Sequence, residues 1–242
     1  SHNLIVELGS IRGIIPREEG AIGIKEGTVR DIAIISRVNK PVCFIVEDFM
    51  KGSDGNLIPI LSRRAAQERC MQNYINKLIS NGCNGMLVTD HNSYNGYRKF
   101  KEIANRMNLK EFTVLKGIEY DTKDAGHIIA ILPEHINEKI LEVRGMKVKQ
   151  LEKLVHGLGG VLGPAHPYGT GYYAFANTKF GKNNMNFIKK FDFIETFNAC
   201  TKPLENMLAD RLAERFNKLK TGGSDAHKED VVGMAFTEFS DI

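Results

Sequence analysis

The chain has 242 residues, enough for one barrel-sized domain or for a domain with a small appendage, and 42% of them are hydrophobic, as in an ordinary globular protein. A formal charge of +4 is too mild to imply nucleic acid or an anionic membrane by itself. No apolar run approaches the roughly 18 residues that span a bilayer, and the four scattered cysteines, Cys43, Cys70, Cys83 and Cys200, form no Cys-x-x-Cys pair, the pattern of reduced thiols in a cytoplasmic protein.

In chain order, residues 1–60 read as a β-rich segment. The runs "NLIVELG", "AIGI", "VRDIAIISRV" and "PVCFIVEDF" are β-branched or aromatic, and "PREEG", "NK" and "GSDG" punctuate them. From Arg63 to Ser80 the pattern turns helical, with Ala66, Cys70, Tyr74 and Leu78 on one face and Asn81-Gly82 as the stop. Strands and helices then alternate through residues 61–242. "GMLVTD", "FTVLKGIEY", "HIIAILPE", "VLGPAHP", "FIETFNA" and "KTGGSDAH" read as strands. The helices are "GYRKFKEIANRM", "KQLEKLVHGLGG", "NMNFIKKF" and "LENMLADRLAERFNKL". Short apolar strands between amphipathic helices predict an α/β fold with a parallel sheet, in barrel form at this length.

The polar residues gather at strand ends. "MLVTDH" finishes in Asp90-His91, "VLKGIE" in Glu119, "VLGPAHP" in His166, and "KTGGSDAH" in Asp225 and His227, while His127 opens "HIIAIL". C-terminal strand ends are where α/β folds build their sites, so these residues are expected at one mouth. Imidazoles mixed with carboxylates suit zinc, manganese or iron. No G-x-S-x-G nucleophile elbow is present. "GLGGVLG" lies between a helix and a strand, the wrong order for a dinucleotide loop. His2, His135 and His156 match no motif.

Taken in order, "VTDHN", "GIE", "HIIAIL", "GPAHPYG", "IETFNA" and "GGSDAH" resemble the PHP (polymerase and histidinol phosphatase) superfamily over about residues 62–242. The resemblance implies a distorted (β/α)7 barrel that hydrolyses phosphoesters with metal-bound hydroxide, using one to three zinc, manganese or iron ions. It makes Glu119 a bridging ligand, completes one ion's site with His127 and His166, and gives another ion to His91 and His227. Asp225 serves a third ion or takes a proton. Asp90 orients its neighbour or shares the proton transfer. Arg98 and Tyr168 are expected at the substrate, with Lys99 and Lys101 on the same solvated helix face as Arg98. The partner is then a small phosphorylated molecule: a nucleotide, a sugar phosphate or a short oligonucleotide.

One departure is plain. The family opens on a strand ending in Asp-x-His-x-His, whereas "CFIVEDFMKGSDG" offers only Glu47, Asp48 and Asp54. "GIIPREEGAIG", "RDIAIISRVNKPVCF" and "PILSRRAAQERC" instead resemble bacterial ribosomal RNA-binding proteins of the OB type. That second resemblance implies an RNA partner for the first segment, and a catalytically impaired PHP-like binding module as the alternative function.

Overall fold

A computed structural model describes residues 3–53, 55–136, 139–171 and 173–239; Asp54 and His2 lie outside them. The chain divides into two compact units, residues 1–73 and 74–242.

In the first unit, β1 (Leu4–Leu8) and β2 (Ile11–Ile15) form an antiparallel hairpin. β2 lies parallel to β4 (Leu57–Ser62), which pairs antiparallel with β3 (Ile45–Lys51). The strands expected at "AIGI" and "VRDIAIISRV" do not form. Gly23 and Gly27, at φ +89° and +68°, turn the chain. The Asp31 carbonyl then accepts from the N–H groups of Ile34 and Ile35, closing the short helix α1 (Ile32–Ile35). Ile34 packs with Ala21 and Ile24 in a small core of its own. Arg17 is paired with Asp31 at 2.5 Å. Helix α2 (Arg63–Ser80) follows where its periodicity predicts it.

The second unit carries β5 (Gly85–Val88), α3 (Asn95–Arg106), β6 (Thr113–Asp121), β7 (His127–Ile131), α4 (Val148–Gly157), β8 (Val161–Pro164), α5 (Lys179–Asn183), β9 (Phe193–Asn198), α6 (Pro203–Phe216) and β10 (Leu219–Gly223). The strands fall into a four-stranded sheet, β5-β6-β7-β8, and a parallel pair, β9 and β10. Among the described residues no closed barrel is drawn. The expected all-parallel order is corrected at β7, which runs antiparallel to both neighbours. The cause is the short link, residues 122–126: a parallel crossover needs a dozen residues or more, and a hairpin does not.

β8 lies close against β9 without ladder pairing. Asp192 donates its N–H to the Leu162 carbonyl at 2.9 Å, and its Oδ2 accepts the Leu162 N–H at 2.8 Å. A Cβ on Gly163 would stand 2.4 Å from the Phe193 carbonyl oxygen, so only glycine allows this approach. The main core gathers Ile118, Tyr120, Ile128, Leu151, Val155 and Leu162, all fully buried. Burying each such aliphatic side chain contributes about 1.5–3 kcal/mol. Among the described residues no helix is long and apolar enough to cross a membrane, and none of the four cysteines is disulfide-bonded.

Candidate metal centre

Strand direction decides what meets at the sheet edge. β5 and β6 run parallel, and their ladder is extended by a bridge between His91 and Glu119. Asn92 donates its N–H to the Glu119 carbonyl (3.0 Å), and Glu119 donates its own to the Asp90 carbonyl (3.2 Å). β7 returns antiparallel with Asp121 opposite His127, so the start of β7 lies beside the end of β6. The N–H of Ala165 donates to the His127 carbonyl at 3.2 Å, which brings His166 to the same edge. Glu119 and Asp121, two residues apart on one strand, point to one face.

The resulting cluster is tight. Glu119 Oε1 lies 2.9 Å from His127 Nδ1 and 3.1 Å from His166 Nε2, and Oε2 lies 3.7 Å from His91 Nε2. Asp121 Oδ1 is 2.8 Å from His91 Nδ1 and 3.6 Å from His127 Nε2. The His91 and His166 rings stand 4.8 and 5.4 Å from that of His127. Tyr173, on the loop after His166, accepts the His127 N–H at 2.8 Å through its carbonyl, which ties that loop to the start of β7, and its ring stands 6.0 Å from the His127 imidazole.

Glu119 and His166 are buried, His127 is half-buried and His91 is exposed. Burial pushes the Glu119 carboxyl up, but its contacts with His127 and His166 and the charge of His91 outweigh this and hold it at about 2. For His91 and His166, burial works against the charged form. The surrounding carboxylates, Glu119 foremost, prevail and raise both.

The donor set fits a divalent cation. The ligand atoms of Glu119, His127 and His166 lie within 4.8 Å of one another, and so do those of His91, Asp121 and His127. Each group offers two imidazoles and one carboxylate, a set that suits zinc or iron and leaves a coordination position open. His127 Nδ1 is buried and makes no hydrogen bond, although Glu119 Oε1 is 2.9 Å away. A buried polar atom so placed needs an explanation, and two ligands facing one ion supply it.

Asp121 and Glu195 are missing from the sequence reading. The period of two from Glu119 was the available signal for Asp121. For Glu195 it was a carboxylate inside the apolar run "FIETF". Glu195 is buried; its Oε2 accepts from the His166 N–H (2.7 Å) and from Asn198 Nδ2 (3.1 Å). Burial pushes its carboxyl up to about 7. Asn198 Nδ2 also donates to Asp225 Oδ2 at 3.3 Å, and the charge of Asp225 reaches His91 and His166. His166 and Asp225 hold φ values of +29° and +48°, a left-handed conformation that costs of order 1 kcal/mol or more per residue.

The remaining expected residues belong to neither of these two groups. His227 is exposed, with Nδ1 3.0 Å from the Asp225 carbonyl oxygen. Asp90 accepts the Gly96 N–H at 2.8 Å, holding the first turn of α3, and burial raises its carboxyl. Arg98 pairs with Glu142 at 3.2 Å and donates to Asn95 at 2.8 Å. Its neighbour Lys99 is buried against Glu102 rather than solvated. Tyr168 packs against the main core, and burial raises its hydroxyl. Glu47 and Asp48 are exposed on β3 in the first unit. His135 is exposed, and His156 contacts Asp192 at 2.8 Å.

A PHP-associated family model matches residues 203–242, the stretch that holds Asp225 and His227. A provisionally assigned metal-dependent phosphoesterase of Bifidobacterium adolescentis is similar over 69% of this chain and 87% of its own, with a TM-score of 0.56 at 15% identity. PsfC of Pseudomonas syringae is similar over 69% of this chain and 71% of its own, with a TM-score of 0.53 at 19% identity. At these identities the likeness is one of fold. No curated protein matches the sequence. The resemblance to the PHP superfamily is borne out by the family match and these folds together. Neither speaks to the OB-type resemblance of residues 1–60.

Proposed function

We propose that the chain is a metal-dependent phosphoesterase, with its open sheet part of a distorted PHP-type barrel. The observation that carries this reading is the Glu119 carboxylate, with His127 at 2.9 Å, His166 at 3.1 Å and His91 at 3.7 Å around it. Glu119, His127 and His166 would hold a divalent cation, zinc, manganese or iron, which would supply Lewis-acid polarisation of a phosphoryl oxygen and an acidified water.

The side chains have separable tasks. Glu119, held at about 2, stays ionised at every working pH and offers a permanent negative charge to the cation. Glu195 grips the His166 backbone N–H and thereby fixes the imidazole's entry to the cluster. Asp225, steadied by the Asn198 amide, is the proton acceptor in this reading. Arg98 would exchange Glu142 for a phosphate oxygen, since guanidinium matches both partners. Tyr168 is the second substrate contact. The substrate class is a nucleotide, a sugar phosphate or a short oligonucleotide.

The test is elemental analysis of the purified protein beside a generic phosphoesterase assay with added manganese. At least one tightly held ion per chain and manganese-stimulated hydrolysis are expected, and Glu119→Gln should lose the hydrolysis and hold the ion more weakly. Metal-free protein without stimulated hydrolysis would sink the proposal. Retained metal with no turnover would favour an impaired PHP-like binding module.

A further inference from the structure

We propose that this chain holds its divalent cation in either of two positions that share His127, one made with Glu119 and His166, the other with Asp121 and His91. The inference rests on the metal-dependent reading above and extends it to the number and place of the ions.

The two edges of the His127 ring face different carboxylates. Nδ1 lies 2.9 Å from Glu119 Oε1, and Nε2 lies 3.6 Å from Asp121 Oδ1. His91 Nδ1 completes the second group, 2.8 Å from the same Asp121 oxygen. Asp121 is locked in that direction by Asn92, whose Nδ2 donates to Asp121 Oδ2 at 2.7 Å and whose Oδ1 accepts the Asp121 N–H at 3.0 Å. One carboxylate oxygen is therefore satisfied, and the other is presented between two imidazoles.

A neutral imidazole has one lone pair to give; its second nitrogen carries the proton. His127 can serve Glu119's group or Asp121's group, not both at once. When one group is filled, the N–H of His127 points at the carboxylate of the other. A carboxylate in that place is what orients a ligating histidine and raises its basicity. Each group thus supports the other's occupancy while excluding its own. The opening strand carries no histidine pair, and Asp121 with His91 provides ligands from β6 and the end of β5 instead.

Stoichiometry and affinity for zinc and manganese, by elemental analysis and chelator competition on the full chain, test this. The proteins compared are wild type, Asp121→Asn, His166→Asn and the double variant; asparagine suits the left-handed backbone at position 166. Wild type should hold one ion, each single variant should keep one with weakened affinity, and the double variant should hold none. Unchanged affinity in Asp121→Asn, with the ion lost in His166→Asn, overturns the second position. Two ions on wild type, with one lost in each single variant, overturns the sharing. A wild type that binds no ion refutes the metal-dependent reading itself. An Asp121→Cys variant titrated with cobalt reads ligation directly. A thiolate-to-cobalt absorption absent from wild type supports the position, and a spectrum unchanged from wild type overturns it.

Discussion

Glu195 shows how one side chain sets conditions for the residues beside it. Its folded-state carboxyl, at about 7, lies above the ordinary value of 4.5, so it binds its proton more tightly folded than unfolded. Stability from that proton is fully present below pH 4.5 and is lost as pH rises through about 7. The span corresponds to about 3 kcal/mol. In chelator-treated protein, Glu195→Gln should therefore gain on wild type by up to about 3 kcal/mol between pH 5 and pH 8, read by urea unfolding at both. A gap that does not change with pH would mean the carboxyl is ionised throughout. Glu119 behaves in the opposite sense. Held at about 2, it contributes stability above pH 4.5 that fades only as pH falls towards 2. Its place at the end of "GIE" was legible in the sequence. Glu195 was equally visible as a letter, but its burial depends on the packing of β8 against β9, which no local pattern encodes.

At the scale of elements, two contacts separate structural from chemical roles. Asp90 receives the Gly96 N–H at the first turn of α3. Asp90→Ala should cost about 1 kcal/mol, the usual loss when such an N–H is left unbonded, and should leave the metal content unchanged. A fall in metal content would return Asp90 to the centre. The β8–β9 approach gives the second case. At Gly163 an added methyl has no room, since Phe193 backbone and ring atoms lie 2.4–2.6 Å from its Cβ position. Gly163→Ala should lower stability by about 1–3 kcal/mol. Because His166 follows three residues later, the variant should also bind zinc more weakly, as chelator competition would register. The longer helices α2, α3, α4 and α6 were read well from the sequence because each amphipathic face writes its period locally, whereas "NMNFIKKF" closes as a 3-10 helix and the short α5 was not read. α4, with Val148, Leu151 and Val155 buried, is an instance. "VRDIAIISRV" was misread because its β-branched residues favour a strand, and the turns at Gly23 and Gly27 with the buried Ile34 overrode that preference.

For the molecule as a whole, a cation that binds only the folded form must stabilise it. Zinc at about a hundred times its dissociation constant should add about 2.7 kcal/mol. For a unit of this size that is a rise in melting temperature of about 5–10 °C, reversed by a chelator. Glu119→Gln should show a smaller rise at the same zinc concentration, and an undiminished shift in that variant would place the binding elsewhere.

By itself the sequence determined the alternation of strands and helices from residue 61 onward, the gathering of acids and imidazoles at strand ends, and the missing histidine pair. Those are properties of short segments, where hydrophobic period and residue type speak directly. Tertiary structure alone decided that β7 runs antiparallel, so that its first residue, His127, stands opposite Asp121. It also decided that Asp121 joins the cluster while His227 stays outside both ligand groups. Which groups share one cation depends on distances between chain segments far apart in order, and strand pairing, not local pattern, sets those distances.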